Sequence, residues 1–81
     1  MNKKELIELI ESGREIEFSY NNKRFSITYG TINGKEVISF CEYNKDSTEV
    51  ECVEELLSVE RYGITLEEMI GSITEEHIWV F

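Results

Sequence analysis

His77 is the one imidazole in 81 residues, so proton-transfer chemistry near neutral pH has to be assembled from it and a carboxylate such as Glu68, Glu75 or Glu76. No Ser or Cys stands at a recognisable nucleophile turn to complete that set. A small enzyme using His77 is therefore the weakest reading, and His77 is expected as an edge or part-buried residue. The pairs Glu67-Glu68 and Glu75-Glu76 could gather a hard divalent ion, but adjacent helical positions point in different directions and no Asp-rich calcium-type loop is present. Cys41 and Cys52 have ten residues between them, which is neither a C-x-x-C pair nor a zinc ligand set. Gly13, Gly30, Gly34, Gly63 and Gly71 form neither G-x-G-x-x-G nor a Walker loop and read as turns and helix ends. Gly71 alone falls inside an expected helix, at a cost of about 1 kcal/mol relative to Ala, which close packing against a neighbour would offset. The expectation is no catalytic residue, no metal and no cofactor.

Charge narrows the partners. The chain carries 17 Asp and Glu against 8 Lys and Arg, a net charge of −9, and all of that excess lies in residues 41–81, where only Lys45 and Arg61 are basic. A phosphate backbone is repelled by such a half, so no direct nucleic-acid binding is expected. The four Tyr, four Phe and one Trp, lacking a basic surround, read as core and not as a base-stacking platform. No run approaches the roughly 18 apolar residues of a membrane span. Met1-Asn2-Lys3-Lys4 begins like a secretion signal, yet Glu5, Glu8 and Glu11 break the apolar stretch that must follow, which points to a cytoplasmic protein with reduced thiols. The absence of Pro, Ala and Gln beside abundant Ile, Asn, Lys, Tyr and Glu reads as the coding bias of an AT-rich genome.

A chain of this length holds one core, so residues 1–81 are expected to form a single domain, with about 3–5 kcal/mol of net stability. Asn2 with Glu5 fits a capping box, Met1 with Leu6 a hydrophobic staple, and Leu6, Ile7, Leu9 and Ile10 a buried stripe, so a helix is predicted over 3–12 with Gly13 as its stop. From Arg14 the period changes to two. Ile16, Phe18 and Tyr20, then Phe25, Ile27 and Tyr29, alternate with polar residues about Asn21-Asn22, whose residue type tolerates the positive φ of a two-residue turn. That turn sets Phe18 opposite Phe25 and Ile16 opposite Ile27, and brings Glu17 near Arg24. Asn33-Gly34 joins the second strand to Lys35–Cys41, placing Ile38 opposite Tyr29 and Phe40 opposite Ile27. Val37, Cys41 and Tyr43 then form a row on the other face.

Residues 48–52 fit a strand through Val50 and Cys52, while Thr48 with Glu51 also fits a helix cap; a strand there and a short helix at 53–58 are favoured. Thr65 with Glu68 caps a last helix running to about 73. His77 to Phe81 is read as a final strand. The fold class is α+β: a small antiparallel meander of three to four strands plus a C-terminal strand, with two to three helices packed on its aromatic face.

The stretches Gly13-Arg14-Glu15-Ile16-Glu17-Phe18 and Tyr20-Asn21-Asn22-Lys23-Arg24-Phe25-Ser26-Ile27, with the later Glu54-Glu55-Leu56-Leu57 and Gly63-Ile64-Thr65-Leu66-Glu67-Glu68, resemble segments of small α+β proteins of Gram-positive bacteria and their mobile elements. This resemblance covers most of the chain and consists of turns and apolar spacing. It implies no activity and no site residues.

Two features are left as candidates for function: the outward row Val37, Cys41 and Tyr43, and the apolar ending that contains Trp79 and Phe81, which must be buried in its own sheet, a second copy or another protein. The leading expectation is a non-enzymatic protein-interaction or regulatory domain whose partner is another protein, a homodimer included. The alternative is an acidic DNA mimic that occupies a basic nucleic-acid-binding protein, which requires Glu54, Glu55, Glu67, Glu68, Glu75 and Glu76 to line up on one face.

Overall fold

Asn2 starts the chain's first helix, α1 (Lys3–Glu11), by accepting from the Glu5 N–H at 2.8 Å while Glu5 reaches back to the Asn2 N–H. Met1 packs against the core beside this cap. Gly13 ends the helix at φ +73°, and the N–H groups of Gly13 and Arg14 return to the carbonyls of Ile10 and Leu9, a left-handed stop that satisfies last-turn acceptors. The computed structural model describes all 81 residues.

Two hairpins follow, β1 (Ile16–Tyr20) with β2 (Lys23–Ile32) and β2 with β3 (Lys35–Glu42). Asn21 and Asn22 in the first turn, and Asn33 and Gly34 in the second, all take positive φ, as mirror-image two-residue turns demand. The register pairs Phe18 with Phe25, Ile16 with Ile27, Tyr29 with Ile38 and Ile27 with Phe40, so one face collects these large apolar residues. The disputed segment is a strand, β4 (Ser47–Val50), followed by α2 (Val53–Leu57). Thr48 does not cap a helix: it sits opposite Phe40 and its hydroxyl accepts from the Arg61 guanidinium.

A small hairpin absent from the sequence expectation, β5 (Glu60–Arg61) and β6 (Ile64–Thr65), turns through Tyr62 and Gly63, again both at positive φ. Thr65 and Glu68 form the second complete capping box, opening α3 (Leu66–Ser72), which ends one residue earlier than expected. A single 3₁₀ turn, Glu75–His77, then leads into β7 (Ile78–Val80), which pairs antiparallel with β1.

The main sheet has the order β4-β3-β2-β1-β7. Its inner face meets all three helices in one cluster of 13 buried residues, every one apolar. Phe18, Phe25 and Phe40 form its centre, with ring centroids 5.2–6.2 Å apart and planes within 17° of parallel. This is an α+β domain. No helix is long and apolar enough to cross a membrane.

Two expectations are corrected. A Cβ placed at Gly71 meets no heavy atom within 4 Å, so close packing does not explain that glycine. Nor are all the aromatics core: Tyr43, Tyr62, Trp79 and Phe81 are exposed, while Tyr20 and Tyr29 pack at the margin of the buried cluster. Alternation explains the division, because Trp79 falls between two inward residues and Tyr43 lies beyond its strand.

Candidate functional site: the uncovered sheet face

Because side chains alternate along a strand, the residues between the buried ones face away from the helices. None of these outward residues is buried. Strand pairing places Trp79, Glu17, Ser26, Cys41 and Ser47 in one row running across all five strands. Thr28, Ser39 and Glu49 form the next row, and Gly30 with Val37 the one after. The middle strands thus contribute small side chains. Taller ones stand at the margins, with Trp79 at 42% and Phe81 at 61% exposure on one side and Tyr43 at 71% in the turn after β3.

A depression of about 500 Å³ lies beside Tyr43, lined also by Glu17, Arg24, Ser26 and Cys41. Arg24 forms its wall: the guanidinium is 3.3 Å from Glu17 Oε1 and 5.5 Å from the centre of the Trp79 ring. The Cys41 thiol donates to the carbonyls of Glu42 and Lys45, at 3.2 and 3.3 Å. Farther along, the Ser47 and Ser39 hydroxyls donate to Glu49 and hold its carboxyl below the ordinary range, the Ser47 bond having the larger effect.

Each candidate interface residue can now be placed. Val37 and Cys41 project from the outward face of β3, and Tyr43 follows them just past the strand end. The apolar ending divides its work: Ile78 and Val80 lie opposite the buried Phe18 and Ile16, whereas Trp79 and Phe81 leave their rings exposed. Backbone contacts secure Phe81, whose N–H donates to the Glu15 carbonyl at 2.8 Å and whose carbonyl accepts from Arg14 Nε at 2.5 Å. Register puts Val37, Cys41 and Trp79 on one side of the sheet; Tyr43 lines the same depression as Cys41, and Phe81 follows Trp79 in the alternation of β7. Hairpin register already puts Arg24 on this face beside Glu17, but Arg24 was not counted among the candidate interface residues. Ile32, 48% exposed and outward at the far end of β2, was missed as well.

His77 is exposed on the 3₁₀ turn, with Nε2 4.0 Å from Glu76 Oε1. Glu68, the third carboxylate considered for it, is engaged at the start of α3, where the Thr65 N–H and hydroxyl hold its carboxyl low. The acids of the DNA-mimic pattern lie on α2, α3 and the 3₁₀ turn. Glu54 and Glu67 line one depression with Lys3, Glu76 lines another beside the first hairpin turn, and Glu55 contacts Cys52. No group of three or more His, Cys, Asp or Glu side chains converges closely enough to hold a metal ion.

Comparisons with protein-family models, curated proteins and solved structures find no match.

Proposed function

We propose that this domain is a non-enzymatic interaction module that binds a basic protein segment across the uncovered face of its five-stranded sheet. The observation that carries this reading is the gathering of Trp79, Phe81, Tyr43, Val37 and Cys41 on the one sheet face that no helix covers. Aromatic side chains standing beside a floor of small ones suit a partner's backbone and side chains, because they offer apolar area without losing much conformational freedom. Charge selects the partner's sign: the chain is −9 overall, and on this face Glu49 stands without a basic partner while Glu17 is paired with Arg24.

A displayed random-peptide library tests the proposal. Selection on the parent protein should enrich peptides rich in Lys or Arg, and their binding should weaken at least about 30-fold in Trp79→Ser, the loss typical of an aromatic hot spot. Far-UV circular dichroism would establish that the variant is folded. Enrichment unaffected by Trp79→Ser and Tyr43→Ser, or enrichment of acidic peptides, would overturn it.

A further inference from the structure

Resting on the protein-binding reading above, we infer that Trp79 and Glu17 form a subsite for an arginine side chain of the partner, and that Arg24 is the chain's own occupant of it. Strand pairing sets Trp79 of β7 directly opposite Glu17 of β1 on the uncovered face, so an indole ring and a carboxylate stand side by side. Arg24 starts from β2, where its backbone partner is Ser19, two residues along β1 from Glu17. Its side chain runs back diagonally across β1. That path brings Nη2 to 3.3 Å from Glu17 Oε1 and the guanidinium carbon to 5.5 Å from the centre of the Trp79 ring. The two groups thus already hold a guanidinium, Glu17 through a charge-assisted hydrogen bond and Trp79 through its ring.

Three observations make that occupant exchangeable. First, the Arg24 and Glu17 side chains are 62% and 45% exposed, so a partner reaches the subsite from solvent and water screens the internal pair. Second, Glu17 is the one hydrogen-bond partner of the Arg24 guanidinium, and nothing else anchors it. Third, Arg24 lines the depression beside Tyr43, which gives the displaced side chain room to swing aside. Arginine suits the subsite better than lysine. A planar guanidinium can lie against the indole while it donates to the carboxylate, whereas an ammonium is a strongly hydrated point charge.

Replacing one guanidinium by another is nearly neutral in energy, so an isolated arginine gains little against a tethered competitor. A segment that also engages Tyr43 and the floor of small residues supplies the difference. Arg24 therefore sets selectivity on this face: it turns away single basic residues and admits a chain that carries an arginine in register with the aromatic groups.

Nuclear magnetic resonance titration of the full ¹⁵N-labelled chain with Nα-acetyl-arginine amide tests the inference, read at the indole N–H of Trp79, the only tryptophan. Arg24→Thr vacates the subsite and keeps a residue type suited to a strand. The indole resonance of this variant should shift saturably, with a Kd about three- to tenfold below that of the parent, the range set by one exposed ion pair and one exposed cation–π contact. Adding Glu17→Gln should undo the gain, and Nα-acetyl-citrulline amide, the uncharged isostere, should give no saturable shift. Lys35→Gln removes an equal charge at the far end of β3 and should titrate as the parent does. No saturable shift in Arg24→Thr, binding no tighter than the parent's, an equal gain in Lys35→Gln, or an equal response to citrulline would each overturn it. Trp79-dependent peptides whose binding Arg24→Thr leaves unchanged would refute this inference alone. Arginine capture by the vacated subsite, without any Trp79-dependent basic peptide, would refute the sheet-face reading alone.

Discussion

Two glycines with equally empty surroundings are expected to respond in opposite directions to alanine. A Cβ at either Gly71 or Gly13 meets no heavy atom within 4 Å, so sterics do not distinguish them. Backbone conformation does. Gly71 lies within α3 without a positive φ, and alanine there recovers the helix penalty of glycine, about 0.5–1 kcal/mol. Gly13 is held at φ +73°, where a residue with a Cβ costs about 1–2 kcal/mol, and the two N–H bonds that close α1 depend on that geometry. In a domain of this size 1 kcal/mol moves Tm by about 4–8 °C. Gly71→Ala should therefore melt about 2–8 °C above the parent and Gly13→Ala at least about 4 °C below it, measured by calorimetry at one pH and ionic strength. A Gly71→Ala protein no more stable than the parent would refute the open, regular setting of that helix position. A neutral Gly13→Ala would refute the left-handed stop.

Phe40→Ala should leave the chain largely unfolded, because truncating a fully buried ring costs about 3–5 kcal/mol and a domain this small holds about that much; Phe40→Leu should still unfold cooperatively in urea, at a lower midpoint followed by circular dichroism. Glu68 and Glu49 have lowered native pKa values, from the Thr65 N–H and hydroxyl and from the Ser47 and Ser39 hydroxyls. Their ionised forms therefore favour the folded state, a contribution present at neutral pH and lost as pH falls through those lowered values. Thr65→Val and Ser47→Ala should each raise the titration of the matching carboxyl in ¹³C resonance and reduce the acid-side fall in Tm. Arg24→Met should alter the emission of Trp79, the only tryptophan, while changing stability by less than about 1 kcal/mol, since both its ion pair and its ring contact are exposed.

Local chemistry made the first two hairpins legible. Asn21-Asn22 and Asn33-Gly34 can adopt positive φ, and the alternation around them sets a register that puts Ile16, Phe18, Phe25, Ile27, Tyr29, Ile38 and Phe40 on one face. Capping boxes at Asn2 and Thr65 marked two helix starts for the same reason: each is complete within four residues. The β5–β6 hairpin escaped because strands of two residues have no measurable period, leaving Tyr62-Gly63 as a bare turn signal. For the site, the outward placement of Val37 and Cys41 followed from alternation alone. That Trp79 and Phe81 share their side of the sheet depends on β7 pairing with β1, a contact between segments some sixty residues apart that local pattern does not encode.

The order of the strands also governs how such a sheet ages in concentrated solution. Its two longest members, β2 with ten residues and β3 with eight, lie in the interior, while β4 and β7 at the borders have four and three. Had a ten-residue strand been outermost, its row of open amides and carbonyls would template fibre growth by lateral addition. A neighbouring copy laid against either short border instead finds only a few backbone rungs, set against the mutual repulsion of two chains at −9. Fibril formation is therefore expected to be slow, fastest in high salt and through the part of β2 that runs past β1, Thr28 to Ile32.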